Sequence, residues 1–186
     1  MNERIVVKRS NERMRKKIKY MFFDIDGTLT DGKIYIGKDG EVFKAFNCKD
    51  GYGLRNILPM LGVKPVIMTT RESAIVENRC KELGIDLCYQ GISDKRRMII
   101  ELAEKWEIMP NEQGVYEELA FMGDDLNDFE AMKICGLSAC PQDAVVEIKD
   151  MVTYVSERNA GEGAARDFVD WYKNCLKCQK ISIDDN

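Results

Sequence analysis

The run Tyr20-Met21-Phe22-Phe23, followed at once by Asp24-Ile25-Asp26-Gly27-Thr28-Leu29-Thr30-Asp31-Gly32, constrains this chain more than any other stretch. Four apolar or aromatic residues without a charge predict a buried strand, and the polar, Gly-containing segment ends it. Residues two apart on an extended chain point the same way, so Asp24 and Asp26 are expected side by side where the strand leaves the sheet. Two convergent carboxylates are costly there unless a cation neutralises them. Hard oxygen ligands predict Mg2+. Strand-ending Asp residues are also common turn formers, and the rest of the chain decides between the two readings.

That rest alternates strand and helix. Lys33-Ile34-Tyr35-Ile36 and Glu41-Val42-Phe43-Lys44-Ala45-Phe46, joined by Gly37-Lys38-Asp39-Gly40, predict a β-hairpin projecting just after the carboxylates. Its apolar content favours association with another copy over a free flap. Asn47 to Arg55 leads into a helix ending near Leu61-Gly62. Lys64 to Arg71 reads as a strand with a hydroxyl-rich exit, Glu72 to Leu83 as a helix stopped by Gly84, and Ile85 to Tyr89 as a short strand. A helix over Asp94–Glu107 is expected to be capped by Ser93. A strand over Leu119–Gly123 leads into Asp124-Asp125-Leu126-Asn127-Asp128 and a helix reaching Cys135-Gly136. Leu137 to Cys140, a short helix, a strand over Val152–Val155 and a final helix after Gly161-Glu162-Gly163 complete the chain.

This alternation predicts an α/β fold, a mostly parallel sheet flanked by helices. Right-handed crossovers bring the C-terminal ends of the strands to one edge, where ligands bind in open α/β sheets. Asp24, Asp26, Thr69, Lys95 and Asp124 all fall on that edge. The expected division is a basic N-terminal arm over 1–19, one domain over 20–174 and a C-terminal tail over 175–186.

With 186 residues, 45% of them hydrophobic, the chain can bury one substantial core. It lacks both a run of eighteen apolar residues and the apolar segment of a signal peptide, which predicts a cytoplasmic protein without membrane association. There is no His, so Ser-His and Cys-His nucleophile systems are excluded. The seven Cys are scattered, and Cys175-x-x-Cys178 has neither a second Cys pair nor a His to complete a zinc site. Residues 1–19 carry eight Lys/Arg against two Glu, a balance of +6 that leaves −10 for the remainder of a chain of net charge −4. The arm has no aromatic residue to stack on bases, so no nucleic-acid partner is expected.

The converging residues suit phosphoryl transfer. Asp24 and Asp124 would supply oxygens to Mg2+, which lets an anionic nucleophile approach an anionic phosphate. Asp24 is placed to attack phosphorus and form an aspartyl-phosphate; Asp26 is placed to protonate the leaving alkoxide and then activate water. Thr69 offers a hydroxyl to the phosphate, and Lys95 adds positive charge in the first turn of its helix. Arg55, Arg71 and Arg166 are candidate partners for a carboxylate or phosphate.

Through these residues the chain resembles the haloacid dehalogenase (HAD) superfamily over about residues 20 to 172. The form with Thr30-Asp31-Gly32 is similar to the 3-deoxy-octulosonate 8-phosphate phosphatases and the related nonulosonate (sialic-acid-type) 9-phosphate phosphatases. Asp50-Gly51-Tyr52-Gly53-Leu54-Arg55, Tyr89-Gln90-Gly91, Gly123 to Asp128 and Gly161 to Arg166 also look like that subgroup. The resemblance implies a Rossmann-like fold without a separate cap domain. It implies Asp24, Asp26 (through its backbone carbonyl) and Asp124 as the metal ligands, with Asp125 and Asp128 in support. Thr69, Thr70, Arg71, Lys95, Asp26, Asp50, Gly51, Arg55 and Arg166 are the expected substrate contacts. It further implies a homotetramer with hairpins in a central barrel, acting on a small sugar-acid phosphate in lipopolysaccharide or sialic acid biosynthesis. One departure is Thr69-Thr70-Arg71 where the subgroup usually has Thr-Gly-Arg, since a β-branched residue disfavours positive φ and narrows the space beside the phosphate. A metal-nucleotide transferase using Asp-x-Asp, and a non-catalytic domain kept for oligomerisation or regulation, are the competing readings.

Overall fold

The computed structural model of the protein describes residues 16–184, with side chains to residue 178. Most of the expected basic arm lies outside the described residues. The central sheet has β1 (Tyr20–Phe23) between β4 (Lys64–Met68) and β6 (Tyr116–Met122). β5 (Cys88–Tyr89) flanks β4, while β7 (Cys135–Cys140) and β8 (Tyr154–Val155) continue beyond β6. Every pairing in this sheet is parallel. The antiparallel hairpin β2 (Tyr35–Gly37) and β3 (Gly40–Phe43) forms a separate two-stranded sheet.

The strand sequences alternate between two cores, as a sheet covered on both faces requires. Met21, Phe23, Ile67, Ala120, Met122, Leu137 and Ala139 enter one core. That core is completed by α1 (Cys48–Tyr52) with its π-helical continuation Gly53–Ile57 and α2 (Leu58–Met60), by α3 (Ala74–Leu83) and by α7 (Ala164–Asp184). Phe22, Val66, Met68, Leu119 and Phe121 enter the other, covered by α4 (Lys95–Lys105), α5 (Leu126–Lys133) and α6 (Val146–Met151). Each large apolar side chain buried this way contributes roughly 1.5–3 kcal/mol.

Several boundaries differ from the sequence reading. The strand expected over Ile85–Tyr89 shrinks to two residues. Ile67 and Thr69 donate N–H to Leu87 and Tyr89 across the β4–β5 edge, but Pro65, facing the same neighbour, has no N–H to extend the ladder. Pro59 likewise has no N–H for the Arg55 carbonyl, and the Leu58 N–H reaches back five residues to Gly53, giving the π-helical turn in place of one continuous helix. Asp94, not Ser93, caps α4, its carboxylate accepting the Arg97 N–H. Strand β7 starts at Cys135, where a helix end was expected. A Cβ on Gly136 would lie 2.7 Å from the Glu117 backbone, so glycine is there for close approach of β6 and β7, not to end a helix. Finally, α7 runs unbroken to Asp184, so the boundary expected after residue 174 falls inside a helix with Cys175 buried on it.

Candidate active site

Strand β1 delivers Asp24 to the sheet edge, its N–H bonded to the Met122 carbonyl of β6. The chain then wraps around one acceptor: the Ile25 carbonyl takes the N–H groups of Thr28, Leu29 and Thr30 and the Thr30 hydroxyl. This turn carries Gly27 at φ 89°, where a Cβ would collide with the Asp124 carboxylate. Only glycine lets Asp124 come so close to the first loop. The Thr28 hydroxyl completes the link, donating to Asp124 Oδ1 at 2.9 Å.

Asp124 leaves β6 immediately before α5, whose N-cap is Asp125 in a capping box with Asp128. Asp128 is fully buried and fully engaged. One oxygen accepts the N–H groups of Asp124 and Asp125 at 3.1 and 3.4 Å, and the other accepts Lys95 Nζ at 2.6 Å. Lys95, the first residue of α4, also donates to Asp24 Oδ1 at 2.7 Å. A single buried ammonium therefore ties the exits of β1 and β6 together.

One lysine among three carboxylates leaves a charge deficit. Burial, and next the Asp128 charge, push Asp24 up to about 6 against the pull of Lys95. Burial and then the Asp24 charge push Asp124 up to about 8, opposed by the Thr28 hydrogen bond. Burial alone would lower the Lys95 pKa, but Asp24 and Asp128 outweigh it and hold that pKa above the ordinary lysine value. Asp24, Asp124 and Asp128 present carboxylate oxygens within 4.8 Å of one another. With Asp128 occupied by backbone N–H groups and Lys95, Asp24 and Asp124 are the pair with oxygens to spare. Hard donors, close spacing and unbalanced negative charge all fit a divalent cation such as Mg2+.

The Asp26 side chain finds its partners outside this cluster. Lys44, whose side chain is only 2% exposed, bonds Asp26 Oδ1 and also pairs with Glu41 at 3.0 Å. Asp26 Oδ2 is buried without a hydrogen-bond partner, with Arg71 Nε 3.6 Å away. Glu41, on β3, further holds Arg71 and the Ser73 hydroxyl. The hairpin is thus clasped to the candidate acid/base through Lys44, and to the exit of β4 through Glu41. Sequence reasoning missed Lys44, Glu41, Ser73 and Thr28. A charge on a projecting hairpin usually meets solvent, and only Thr28, inside the first motif, carried any signal.

The other expected contacts are placed as follows. Thr69 is buried at the exit of β4, its backbone bonded to Tyr89 and Ile92, and Thr70 follows it, exposed. The contacts of Asp50, Gly51, Arg55 and Arg166 lie elsewhere. Asp50 accepts the Arg166 N–H at 2.8 Å and caps the start of α7. Asp50 and Gly51 line a small, mainly apolar cavity with Phe46, Leu54 and Val76, whose walls include none of Asp24, Asp26, Lys95 or Asp124. Arg55 donates to the Glu82 carbonyl, and Arg166 lies over the Tyr52 ring and bonds Asp170.

Two buried or half-buried aspartates at the exits of neighbouring strands, one of them locked to a lysine, match the arrangement expected of a phosphatase of the haloacid dehalogenase type. Comparison with known proteins agrees. A sequence profile of the haloacid dehalogenase-like hydrolases matches residues 89–167. The 3-deoxy-D-manno-octulosonate 8-phosphate phosphatase of Escherichia coli K12 is 40% identical over 155 residues, 83% of this chain and 79% of that protein. The crystal structure of the Yersinia pestis phosphatase of that name has a TM-score of 0.80 at 35% identity, covering 92% of this chain and 86% of that one. The Moraxella catarrhalis phosphatase, solved with magnesium, phosphate and 3-deoxy-D-manno-octulosonate (KDO), has a TM-score of 0.80 at 29% identity, covering 94% and 93%. The chain belongs to the 3-deoxy-D-manno-octulosonate 8-phosphate phosphatase family of haloacid dehalogenase-like hydrolases, and it is an enzyme, a phosphatase.

Proposed function

We propose that this protein is a Mg2+-dependent phosphatase acting on the 8-phosphate of a 3-deoxy octulosonate through an aspartyl-phosphate on Asp24. The observation carrying the chemistry is the junction of Asp24, Asp124 and Lys95, contributed by three separate segments of chain. The substrate reading is supported by relatives at 40% identity over most of both chains and by KDO bound in the Moraxella protein. A nonulosonate 9-phosphate is the alternative that a substrate panel separates.

Asp24 and Asp124 would hold the ion, together with the Asp26 carbonyl that the family resemblance implies. Bound there, Mg2+ supplies the positive charge that lets two anions meet. An Asp24 oxygen attacks phosphorus, the P–O bond to the sugar breaks, and Asp26 delivers its proton to the departing alkoxide. Asp26 then takes a proton from water, whose oxygen attacks phosphorus and releases phosphate from Asp24. Lys95 keeps Asp24 ionised for its attack and fixed in place through both steps. Lys44 and Arg71 hold Asp26 toward the side where the sugar leaves.

A homotetramer built through the hairpins is part of this reading, supported by Ile36, Val42 and Phe43 at 71, 58 and 49% exposure. Action in the cytoplasm is also part of this reading; among the described residues no helix is long and apolar enough to cross a membrane. A purely regulatory role would give no reason to retain mutually repelling buried carboxylates. The test is Asp24→Asn. It is expected to abolish turnover of the sugar-acid phosphate while circular dichroism stays that of the parent. A variant retaining near-parental turnover would remove Asp24 as nucleophile.

A further inference from the structure

The loops leaving β4 and β6 flank Asp24 from both sides, because those strands are the two neighbours of β1. Thr70, directly after Thr69, takes a negative φ, as does every described non-glycine residue but Glu107. The β-branched side chain is therefore accommodated without backbone strain. It reaches toward the first turn of α5, where Asn127 Nδ2 donates to the Thr70 hydroxyl at 3.4 Å. Both side chains are exposed, yet each adjoins a fixed part of the site. Thr70 follows buried Thr69, and Asn127 precedes Asp128, which grips Lys95 and the Asp124 N–H.

From this geometry we infer that Thr70 and Asn127 form a bridge across the mouth of the phosphate site and act as a specificity-determining pair. The inference rests on the phosphatase reading above. A bridge joining the two loops leaves a narrow passage for whatever is attached to the phosphate. A primary ester, with one CH2 beside the ester oxygen, passes; a secondary ester adds a branch at the narrowest point. A glycine in place of Thr70 carries no side chain to form the bridge, so the discrimination belongs to this chain's own pair of residues. One misplaced carbon substituent in a shaped pocket is worth at least about ten-fold.

The probes are glycerol 1-phosphate and glycerol 2-phosphate, which share composition and charge and differ in branching. Their binding is measured by calorimetry with Mg2+ in an Asp24→Asn background, where neither is consumed. Preference for the 1-isomer is expected to be about ten-fold. Asn127→Ala, which leaves the phosphate loop intact, is expected to cut it to about two-fold. Thr70→Gly should do the same, and the double variant no more than either single one. Equal binding of the two isomers with the bridge intact, or a preference unchanged by Asn127→Ala, would overturn the bridge. Turnover of 3-deoxy-D-manno-octulosonate 8-phosphate by the parent protein separately tests the phosphatase reading, so the two failures are distinguishable.

Discussion

Replacing Lys95 by Met isolates what the buried ammonium contributes. Methionine keeps most of the stem volume, so the packing change is small. What disappears is a cation 2.7 Å from Asp24 and 2.6 Å from Asp128, with side-chain exposures of 1, 5 and 0% for the three groups. Breaking a buried pair from one side costs about 3–5 kcal/mol, because the remaining charge has nowhere to go. At about 2–4 °C per kcal/mol for a chain of this size, the melting temperature in EDTA at pH 8 is expected to fall by about 6–20 °C. The pH dependence has a definite sign. Asp24 and Asp124 already stand at about 6 and about 8 in the folded protein, above the ordinary carboxylate value. The folded state therefore binds protons more readily than the unfolded one, and stability falls as pH rises from about 4 through those values. Without Lys95 the Asp24 pKa climbs further, so the loss is largest at pH 8 and shrinks toward pH 5, where protonation removes the repulsion. Thermal melts in EDTA at pH 5, 6, 7 and 8 read this directly. A loss under 2 °C at pH 8, or one equally large at pH 5, would refute the view that Lys95 offsets a buried charge deficit.

Lys44→Met removes the buried ammonium bonded to Asp26; kcat is expected to fall about ten-fold with little change in KM, and a parental kcat would count against Lys44 as the group that positions the acid/base. Asp50 is buried and stands at about 6, because burial outweighs the backbone N–H groups of Arg166, Gly163 and Ala165. Asp50→Ala should cost about 2 kcal/mol by denaturant titration. It should also flatten the fall of stability between about pH 4 and 6, since a raised carboxylate pKa makes the parent lose stability as pH rises through that window. An unchanged slope would show that Asp50 does not titrate there. Ile36→Asp with Val42→Asp places charges on the exposed hairpin face; light scattering is expected to report a tetramer for the parent and smaller species for the variant, and an unchanged mass would rule out a subunit contact through the hairpins.

Where local chemistry and topology agreed, the sequence was legible. The uncharged run Tyr20–Phe23 emerged as β1 with those bounds. Asp24, Lys95 and Asp124 met because each lies at a strand exit or helix start on one edge of a parallel sheet, a placement that chain order alone dictates. The hairpin was legible as an element, but its docking was not: nothing in its two-residue period indicates that Lys44 turns inward onto Asp26. The motif around Asp50 shows the converse difficulty. Asp50-Gly51-Tyr52-Gly53 and Gly161 to Arg166 suggested substrate contacts, yet Asp50 caps α7 and Gly53 packs against Arg166. Both segments are held by an architectural demand, the unsatisfied N–H groups at a helix start 116 residues further on. A carboxylate meeting such donors is occupied. At the sheet edge, Asp128 is spent on the α5 backbone and on Lys95, while Asp24 accepts from Lys95 and the Ile25 backbone and Asp124 from the Thr28 hydroxyl, which leaves both carboxylates with lone pairs to spare. That difference in occupancy sets the oxygens still open to a ligand apart from those already engaged, and only assembled coordinates reveal it.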